Sequence, residues 1–335
     1  MGASPDQTAK TVSSIFFVSG INTFIQTTIG DRLPIVQGGS FSYLAATFAI
    51  IFNPELQAIE DGEERFEVTM RTIQGAIIIS GVLQFFIGYT GLATLILRFI
   101  SPVTIAPVIT AIGLGLYGVA FSGVAACWTL GLVQIATLVL FTLYLERVKV
   151  FGFRIFSLFP VILAIIATWL LGLILTETDV FEDPGCRTDT NNFILQDSVW
   201  FRVPYPGQWG APIFKAYAII PMWGGMLASM IESIGDYYGC ANLAGAPPPT
   251  PGIISRGLGC EGIGLIISGL VGTGNGTTSY SENIGAIAVT GVGSRVVVQC
   301  GALVMIIISC IAKVGAIFVT VSIIFIFRHG FLLYL

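Results

Sequence analysis

The chain has 335 residues, of which 54% are apolar and only 10% are charged, and its formal net charge is −4. A typical soluble domain carries about 25% charged residues, so this composition excludes a soluble globular enzyme and a disordered chain. The small net charge gives no reason to expect nucleic acid as a partner. With 40 glycines and 15 prolines, the chain suits broken transmembrane helices. The sequence therefore predicts an all-α, polytopic integral membrane protein.

Apolar runs long enough to cross a bilayer, which takes about 20 residues in a helix, recur along the chain. They occupy 12–29, 34–53, 72–97, 102–122, 126–145, 156–176, 214–235, 257–273 and 297–327. A shorter apolar piece, 284–293, follows a stretch rich in Gly, Ser and Thr and is too short to span alone. We expect it to form one broken crossing, because the connections then alternate between the two sides of the membrane.

The charges of the connections predict the orientation. One set is basic and contains Arg32, Arg98, Arg147, Lys149, Arg154, Arg256 and Arg295. The opposite set contains the acidic stretch Glu55 to Arg71 and the long acidic loop 177–213. Cytoplasmic connections carry an excess of Lys and Arg. The basic set is therefore predicted to be cytoplasmic, and the acidic loops and the N-terminus extracellular.

The cysteines and the histidine give little indication of a disulfide, a metal site or a proton relay. Five of the six cysteines lie in or beside apolar runs, where a small buried hydrophobe is expected. Cys186 stands alone in a polar loop, so an intramolecular disulfide is not expected. The single histidine, His329, leaves almost no material for a histidine-based metal site or proton relay. The cysteines are Cys127, Cys186, Cys240, Cys260, Cys300 and Cys310.

Charged residues at bilayer depth cost about 3 kcal/mol or more each and mark functional sites by default. Three positions stand out: Glu232, Glu282 and Lys313. Each has a structural alternative. Glu232 could be hydrogen-bonded within a helix bundle, Glu282 could cap the helix at 284–293, and Lys313 could snorkel or pair with a neighbour.

Two stretches interrupt the apolar pattern, Arg32 to Tyr43 and Gly272 to Glu282. Their Gly, Pro, Ser and Thr residues disfavour a helix, and non-helical backbone at membrane depth survives only inside protein or beside a water-filled cavity. Two such segments in separate halves of a chain indicate a transporter's binding site. With Glu232 and Glu282 as acceptors, the substrate is expected to be small, neutral or weakly acidic, and rich in N–H or O–H donors.

At these residues the sequence resembles the nucleobase–ascorbate transporter family. The stretch from Ser281 to Thr290, SENIGAIAVT, is similar to its signature of Gln, Glu or Pro followed by Asn-x-Gly, four residues and Thr. Further stretches resemble its animal branch, solute carrier family 23. They are 26–34 (QTTIGDRLP), 204–210 (PYPGQWG), 231–238 (IESIGDYY), 243–249 (LAGAPPP) and 272–277 (GTGNGT). The resemblance extends from about residue 12 to about 320.

The resemblance implies a fourteen-span fold of two inverted seven-span repeats, in which the third and tenth spans contain short strands. About ten of these spans are expected here, so the chain looks incomplete at both ends. The implied organisation is an N-terminal tail (1–11), first-repeat core spans (12–97, with a broken span at 33–53), gate spans (98–176), an extracellular loop (177–213), second-repeat core spans (214–327, with a broken span at 274–293) and a divergent tail (328–335).

The resemblance also implies which residues bind the substrate. In nucleobase-transporting relatives, one carboxylate on the eighth span and one on the tenth hold the base, and Glu232 and Glu282 match them. The backbone of Phe41 matches a third-span strand that touches the substrate. Ser42 and Tyr43 would line the wall, and Ser281 and Asn283 flank Glu282. Signature residues with a structural role are Gly274, Asn275, Gly276, Gly285 and Thr290.

The expected function is secondary active transport of a uracil-, xanthine- or hypoxanthine-like nucleobase across the plasma membrane, coupled to Na⁺ or H⁺ and without a cofactor. Family members that carry ascorbate have Pro at the position of Glu282, and a carboxylate would repel the ascorbate anion. Ascorbate transport nevertheless remains an alternative. Another is a truncated, non-transporting membrane protein that associates with full-length subunits, since relatives form dimers. No combination of nucleophile, base and cofactor motif supports an enzyme.

Overall fold

The computed structural model describes residues 3–93, 127–150, 154–181, 186–188 and 199–317, with isolated positions between 107 and 125. The described residues form two compact units, one from 1–116 and 200–315 and the other from 117–199 and 316–317. The predicted tail 328–335 and the end of the run 297–327 lie outside the described residues, as does most of the run 102–122.

The first unit begins with helix α1 (Pro5–Thr28), which starts seven residues before the predicted span. Ser4 and Gln7 form a reciprocal capping box, in which Gln7 N donates to Ser4 Oγ (3.2 Å) and Ser4 N donates to Gln7 Oε1 (2.8 Å). This cap satisfies two N–H groups that a helix start leaves without partners. It explains why part of the expected N-terminal tail is helical.

The first interrupted segment forms strand β1 (Gln37–Gly39), a 3₁₀ turn (Phe41–Tyr43) and the short helix α2 (Leu44–Ile51). Helix α3 (Pro54–Gln57) and helix α4 (Gly62–Tyr89) follow.

The stretch from Glu55 to Arg71 is therefore mostly helical, and the prediction of a loop there was wrong. The physical reason lies at the start of α4. Asp61 Oδ1 accepts a hydrogen bond from Glu63 N (3.2 Å), and Glu63 and Glu64 occupy the first turn. Acidic side chains at a helix N-terminus are favoured by the helix dipole, so the same acidic residues that suggest a loop instead start a helix.

The second half of the first unit contains helix α8 (Ala216–Leu243), helix α9 (Pro251–Val271), strand β2 (Thr277–Ser279), helix α10 (Ser281–Thr290) and helix α11 (Arg295–Ser309). The predicted short piece 284–293 corresponds to α10, shifted by three residues. The predicted span 297–327 is not one continuous helix. Helix α11 ends at Ser309, and beyond it Ile311 pairs with Phe201 in an isolated β-bridge.

The two short strands pair with each other in antiparallel fashion, which confirms that both broken segments contain extended backbone. The register aligns Gln37 with Ser279 and Gly39 with Thr277. Around the pair, α4 packs against α9 and α1 against α11. Methionines of α8 contribute to the largest hydrophobic cluster of the unit: Met222, Met226 and Met230.

The second unit contains helix α5 (Trp128–Val139), a π-helical turn (Leu140–Tyr144), helix α6 (Ile155–Leu158) and helix α7 (Pro160–Glu177). A disulfide joins Cys127 to Cys186, with 5.3 Å between their Cα atoms. The expectation of no intramolecular disulfide was therefore wrong. The sequence separation of 59 gave no sign that the two cysteines are close, because the fold and not the spacing brings them together.

By length and apolar composition, four helices of the described residues can cross a membrane: α4, α7, α8 and α9. Shorter apolar helices occur at Phe41–Ile51, Trp128–Tyr144 and Arg295–Ser309. These helices agree with a multi-pass membrane protein. The fourteen-span inverted repeat remains a prediction.

Candidate functional site

The carboxylate of Glu232 lies where the first broken segment meets α8. Ser42 Oγ donates to Glu232 Oε2 at 2.7 Å, and Ser40 Oγ lies 3.5 Å from the same oxygen. Both serines follow β1, because the chain turns there into the 3₁₀ segment. A predicted acidic site residue is thus in contact with the predicted wall residue Ser42, and hydroxyl donors face the carboxylate.

The Gly-rich stretch of the second segment fixes the position of Ser40. Ser40 N donates to Gly276 O (2.9 Å), and Asn275 Nδ2 donates to Ser40 O (3.0 Å). Asn275 is fully buried. A side chain at Gly276 would collide with the ring of Tyr43. The signature residues Asn275 and Gly276 therefore link the two broken segments.

Phe41 and Tyr43 are the two ends of the 3₁₀ turn that follows β1. The buried Tyr43 hydroxyl is hydrogen-bonded to Ser229 Oγ of α8 at 2.9 Å. Phe41 begins the 3₁₀ turn, and β1 already ends at Gly39. The match of Phe41 to a strand was therefore wrong, because the Ser40 side chain accepts from Ser42 N (3.1 Å) and turns the chain.

The signature helix α10 is anchored to both neighbouring elements. Ser281 Oγ donates to Asp236 Oδ1 of α8 (2.8 Å), and Asn283 Nδ2 donates to Pro34 O (2.8 Å). Glu282 is the second residue of α10 rather than its N-cap, which is Tyr280. The Glu282 side chain lies outside the described part of the structure.

The remaining predicted residues lie in the second broken segment and after it. Gly274 has a φ of 74°, a left-handed conformation that favours glycine. Gly285 lies within α10, and Thr290 ends this helix, its hydroxyl donating to Ala286 O (2.7 Å). Lys313 lies over the Trp200 ring, 4.4 Å from its centroid, so it pairs with a neighbour.

A further charged residue inside an apolar run, the carboxylate Glu261, was not among the three predicted charged positions. It lies in the middle of α9 and is only 2% exposed. Its oxygens accept hydrogen bonds from hydroxyls of α8 and β2. These donors are Ser233, Tyr237 and Ser279. The criterion applied to Glu232 would have identified Glu261 as well, since it interrupts the apolar run 257–273.

The polar groups around Glu232 and Glu261 are mainly carboxylates and hydroxyls, which form hydrogen bonds. The described residues contain no cluster of His, Cys, Asp and Glu suited to a metal ion. Glu232 can accept N–H or O–H donors from a polar molecule that replaces the serine hydroxyls. The arrangement suits binding of a small polar molecule.

Comparison with known proteins places the chain among transporters. The Xan_ur_permease profile, which describes the Permease family, matches residues 1–331. The chain is 40% identical to nucleobase-ascorbate transporter 12 of Arabidopsis thaliana over 94% of its own length and 48% of the relative's. It is 39% identical to human solute carrier family 23 member 2, covering 93% of this chain and 53% of the relative.

The length of the relatives and a solved structure show how far the similarity of this chain to known proteins extends. The chain spans only about half the length of these two relatives. The transmembrane domain of a cyanobacterial bicarbonate transporter, BicA, aligns with a TM-score of 0.50 at 14% identity, covering 96% of this chain and 85% of that one. At this identity the likeness concerns the fold, which is that of a membrane transporter domain.

The relatives are transporters and not enzymes. Profile and relatives together cover nearly the whole chain, and they agree with the resemblance of its signature stretch. The chain belongs to the permease family of nucleobase–ascorbate transporters and solute carrier family 23.

Proposed function

We propose that this chain belongs to a secondary active transporter that moves a nucleobase of the uracil, xanthine or hypoxanthine class across the plasma membrane. The observation that carries the proposal is the contact between Glu232 of α8 and Ser42 beside the paired strands. It brings a carboxylate at membrane depth to the meeting point of two broken segments. Such meeting points are where transporters bind their substrates.

The substrate class follows from the polarity of the groups. A carboxylate accepts charge-assisted hydrogen bonds worth about 1.5–3 kcal/mol each, and the N–H edge of a uracil or xanthine supplies them. Glu282 lies in the first turn of the signature helix and would add a second acceptor. Two carboxylates in a site of low dielectric constant disfavour an anion such as ascorbate. Ascorbate remains the alternative because the name of a 40% identical relative includes both substrates.

The proposal also covers the coupling ion and the transport mechanism. Symport with Na⁺ or H⁺ would drive uptake, and alternating access would arise from movement of a core against a gate. We assign the core to the unit that contains the strand pair and the gate to the unit of α5 and α7. A homodimer is the proposed assembly. The second alternative is association with full-length subunits of the family without transport.

The test is uptake of labelled uracil and xanthine by cells expressing this chain, with and without sodium, beside labelled ascorbate. Saturable nucleobase uptake supports the proposal, and its sodium dependence identifies the coupling ion. Accumulation of ascorbate alone would overturn the substrate class. No uptake with the protein present in the membrane would favour the non-transporting alternative, which co-purification with a full-length relative then tests.

A further inference from the structure

The C-terminal end of α9 receives hydrogen bonds from the loop that precedes α8. The last four carbonyl groups of a helix have no partner inside the helix. Residues 207–209, which we call the capping segment, donate to three consecutive carbonyls at this end of α9. The pairs are Gly207 N to Leu270 O (2.8 Å), Gln208 Nε2 to Val271 O (2.7 Å) and Trp209 Nε1 to Gly272 O (2.9 Å). The capping segment therefore completes α9 at the point where the second broken segment begins.

The orientation of the Gln208 amide is fixed from both sides. Its Oε1 accepts from Arg202 Nη2 (2.5 Å), and its Nε2 donates to Val271 O and to Ser14 Oγ (2.8 Å). A guanidinium can only donate and a backbone carbonyl can only accept, so the amide oxygen faces Arg202 and the amide nitrogen faces Val271. The two N–H hydrogens thus have two acceptors. Gln208 therefore joins α1 to the end of α9.

Trp209 holds the glycine at which α9 ends. Gly272 has a φ of 77°, a left-handed conformation that favours glycine. The indole ring lies so close to it that a side chain at Gly272 would collide with the ring. The buried Trp209 ring also meets Phe66 of α4 edge-on, with 5.1 Å between the ring centroids. Trp209 therefore fixes the first residue of the second broken segment relative to α4.

The path from the capped end of α9 to the candidate site is short. Asn275 lies three residues after Gly272, and its Nδ2 donates to Ser40 O (3.0 Å). Ser40 Oγ accepts from Ser42 N (3.1 Å), and Ser42 Oγ donates to Glu232 (2.7 Å). Because so few residues separate Gly272 from Asn275, a displacement of Gly272 would be passed on to the two serines.

We propose that Gln208 and Trp209 are positioning residues of the candidate site, which cap α9, hold the second broken segment and through it keep Ser42 against Glu232. The inference rests on the proposed function where it refers to substrate affinity. The order that the capping segment imposes on residues 37–42 does not depend on which molecule is transported.

The experiment compares backbone hydrogen exchange and xanthine binding in the purified wild-type chain and in Trp209→Phe. Phenylalanine keeps an aromatic ring and removes the N–H that donates to Gly272. The matched control is Trp200→Phe, the same substitution at an exposed position of the same loop. Local opening of the structure sets the exchange rate. We expect exchange to accelerate at residues 37–42 and 268–276, and xanthine affinity to fall, each by about twofold to tenfold, as for one lost hydrogen bond.

Three results would overturn the proposal. Wild-type exchange at residues 37–42 in Trp209→Phe would do so even if 268–276 exchange faster, because the cap would then act on α9 alone. Wild-type xanthine affinity in this variant would exclude an effect on the site. Equal changes in Trp200→Phe would show an effect of the whole loop.

Gln208→Asn keeps the test decisive if Trp209→Phe does not fold. Its amide is one methylene shorter, so it should lose at least one of the hydrogen bonds to α1 and α9, and the same two measurements should change in the same direction. If the wild type binds no nucleobase, the proposed function fails alone, since hydrogen exchange at residues 37–42 still decides whether the capping segment positions them.

Discussion

At the scale of single residues, the candidate site depends on hydroxyl groups that hold carboxylates inside the membrane. Ser42 occupies the acceptor Oε2 of Glu232 at 2.7 Å. A serine hydroxyl is also a good temporary partner, because it can rotate and donate elsewhere when a ligand N–H arrives. The Ser42–Glu232 hydrogen bond is therefore one that an N–H or O–H donor of another molecule can replace.

Glu232→Gln should weaken binding and transport of any substrate that donates to this carboxylate. The amide retains the size of the side chain and loses charge-assisted hydrogen bonds of about 1.5–3 kcal/mol each, which corresponds to a roughly tenfold to hundredfold loss of affinity. Binding of xanthine to the purified chain measures the effect. The exposed Glu67→Gln is the control and should bind normally. Wild-type affinity in Glu232→Gln would exclude Glu232 from the site.

Glu282→Pro should abolish nucleobase recognition and leave the protein folded. Glu282 is the second residue of α10, and proline is tolerated in the first turn of a helix because the N–H groups there lack helical partners. The variant thus removes a carboxylate at little structural cost. Uracil and xanthine uptake, with the apparent melting temperature as a control for folding, measures the outcome. Undiminished nucleobase uptake would contradict the substrate assignment.

The residues of the site were only partly predictable. Glu232 could be found because a charge inside an apolar run is costly, and the structure brings it to Ser42. The surroundings of Glu261 could not be found in this way. Its partners Tyr237 and Ser279 lie 24 and 18 residues away in the sequence, and their convergence depends on the packing of α8 and β2 against α9.

At the scale of secondary-structure elements, the sequence predicts where helices break better than where they begin. Gly, Ser and Thr indicated the segments of β1 and β2, since these residues disfavour helices. The pairing of Gln37 with Ser279 needed the fold, because strands of three residues carry no pattern that defines a register. The start of α4 at Gly62 was missed because acidic residues suit both a loop and a helix N-terminus.

Gly38→Ala should disrupt the strand pair. A side chain at Gly38 would overlap the ring of Tyr280, and overpacking of this kind costs about 1–3 kcal/mol. We expect a lower melting temperature and weaker xanthine binding in the variant. Tyr280→Ala in the same chain should restore part of the stability, because the two residues are in contact and their effects are not additive. Independent effects of the two substitutions would contradict the steric explanation.

At the scale of the whole molecule, the two units of the chain are stabilised by different interactions. The first is held together by helix packing and a buried polar network around the strand pair. In the second, Leu130 packs beside the disulfide, together with Trp169, Leu175 and Phe181. Both cysteines lie on the side that the loop charges predict to be extracellular, which is where disulfides persist. The disulfide thus agrees with the predicted orientation, which was inferred from different residues.

Cys186→Ser should destabilise the second unit. The disulfide closes a loop of about 60 residues, and a bond of this kind contributes about 2–4 kcal/mol, in large part by restricting the unfolded chain. We expect faster limited proteolysis between residues 177 and 199 and a lower melting temperature, and the wild type treated with a reductant should behave alike. The exposed free cysteine Cys300 provides the control, since Cys300→Ser leaves the disulfide intact. Equal resistance of wild type and Cys186→Ser would show that the Cys127–Cys186 bond does not stabilise this unit.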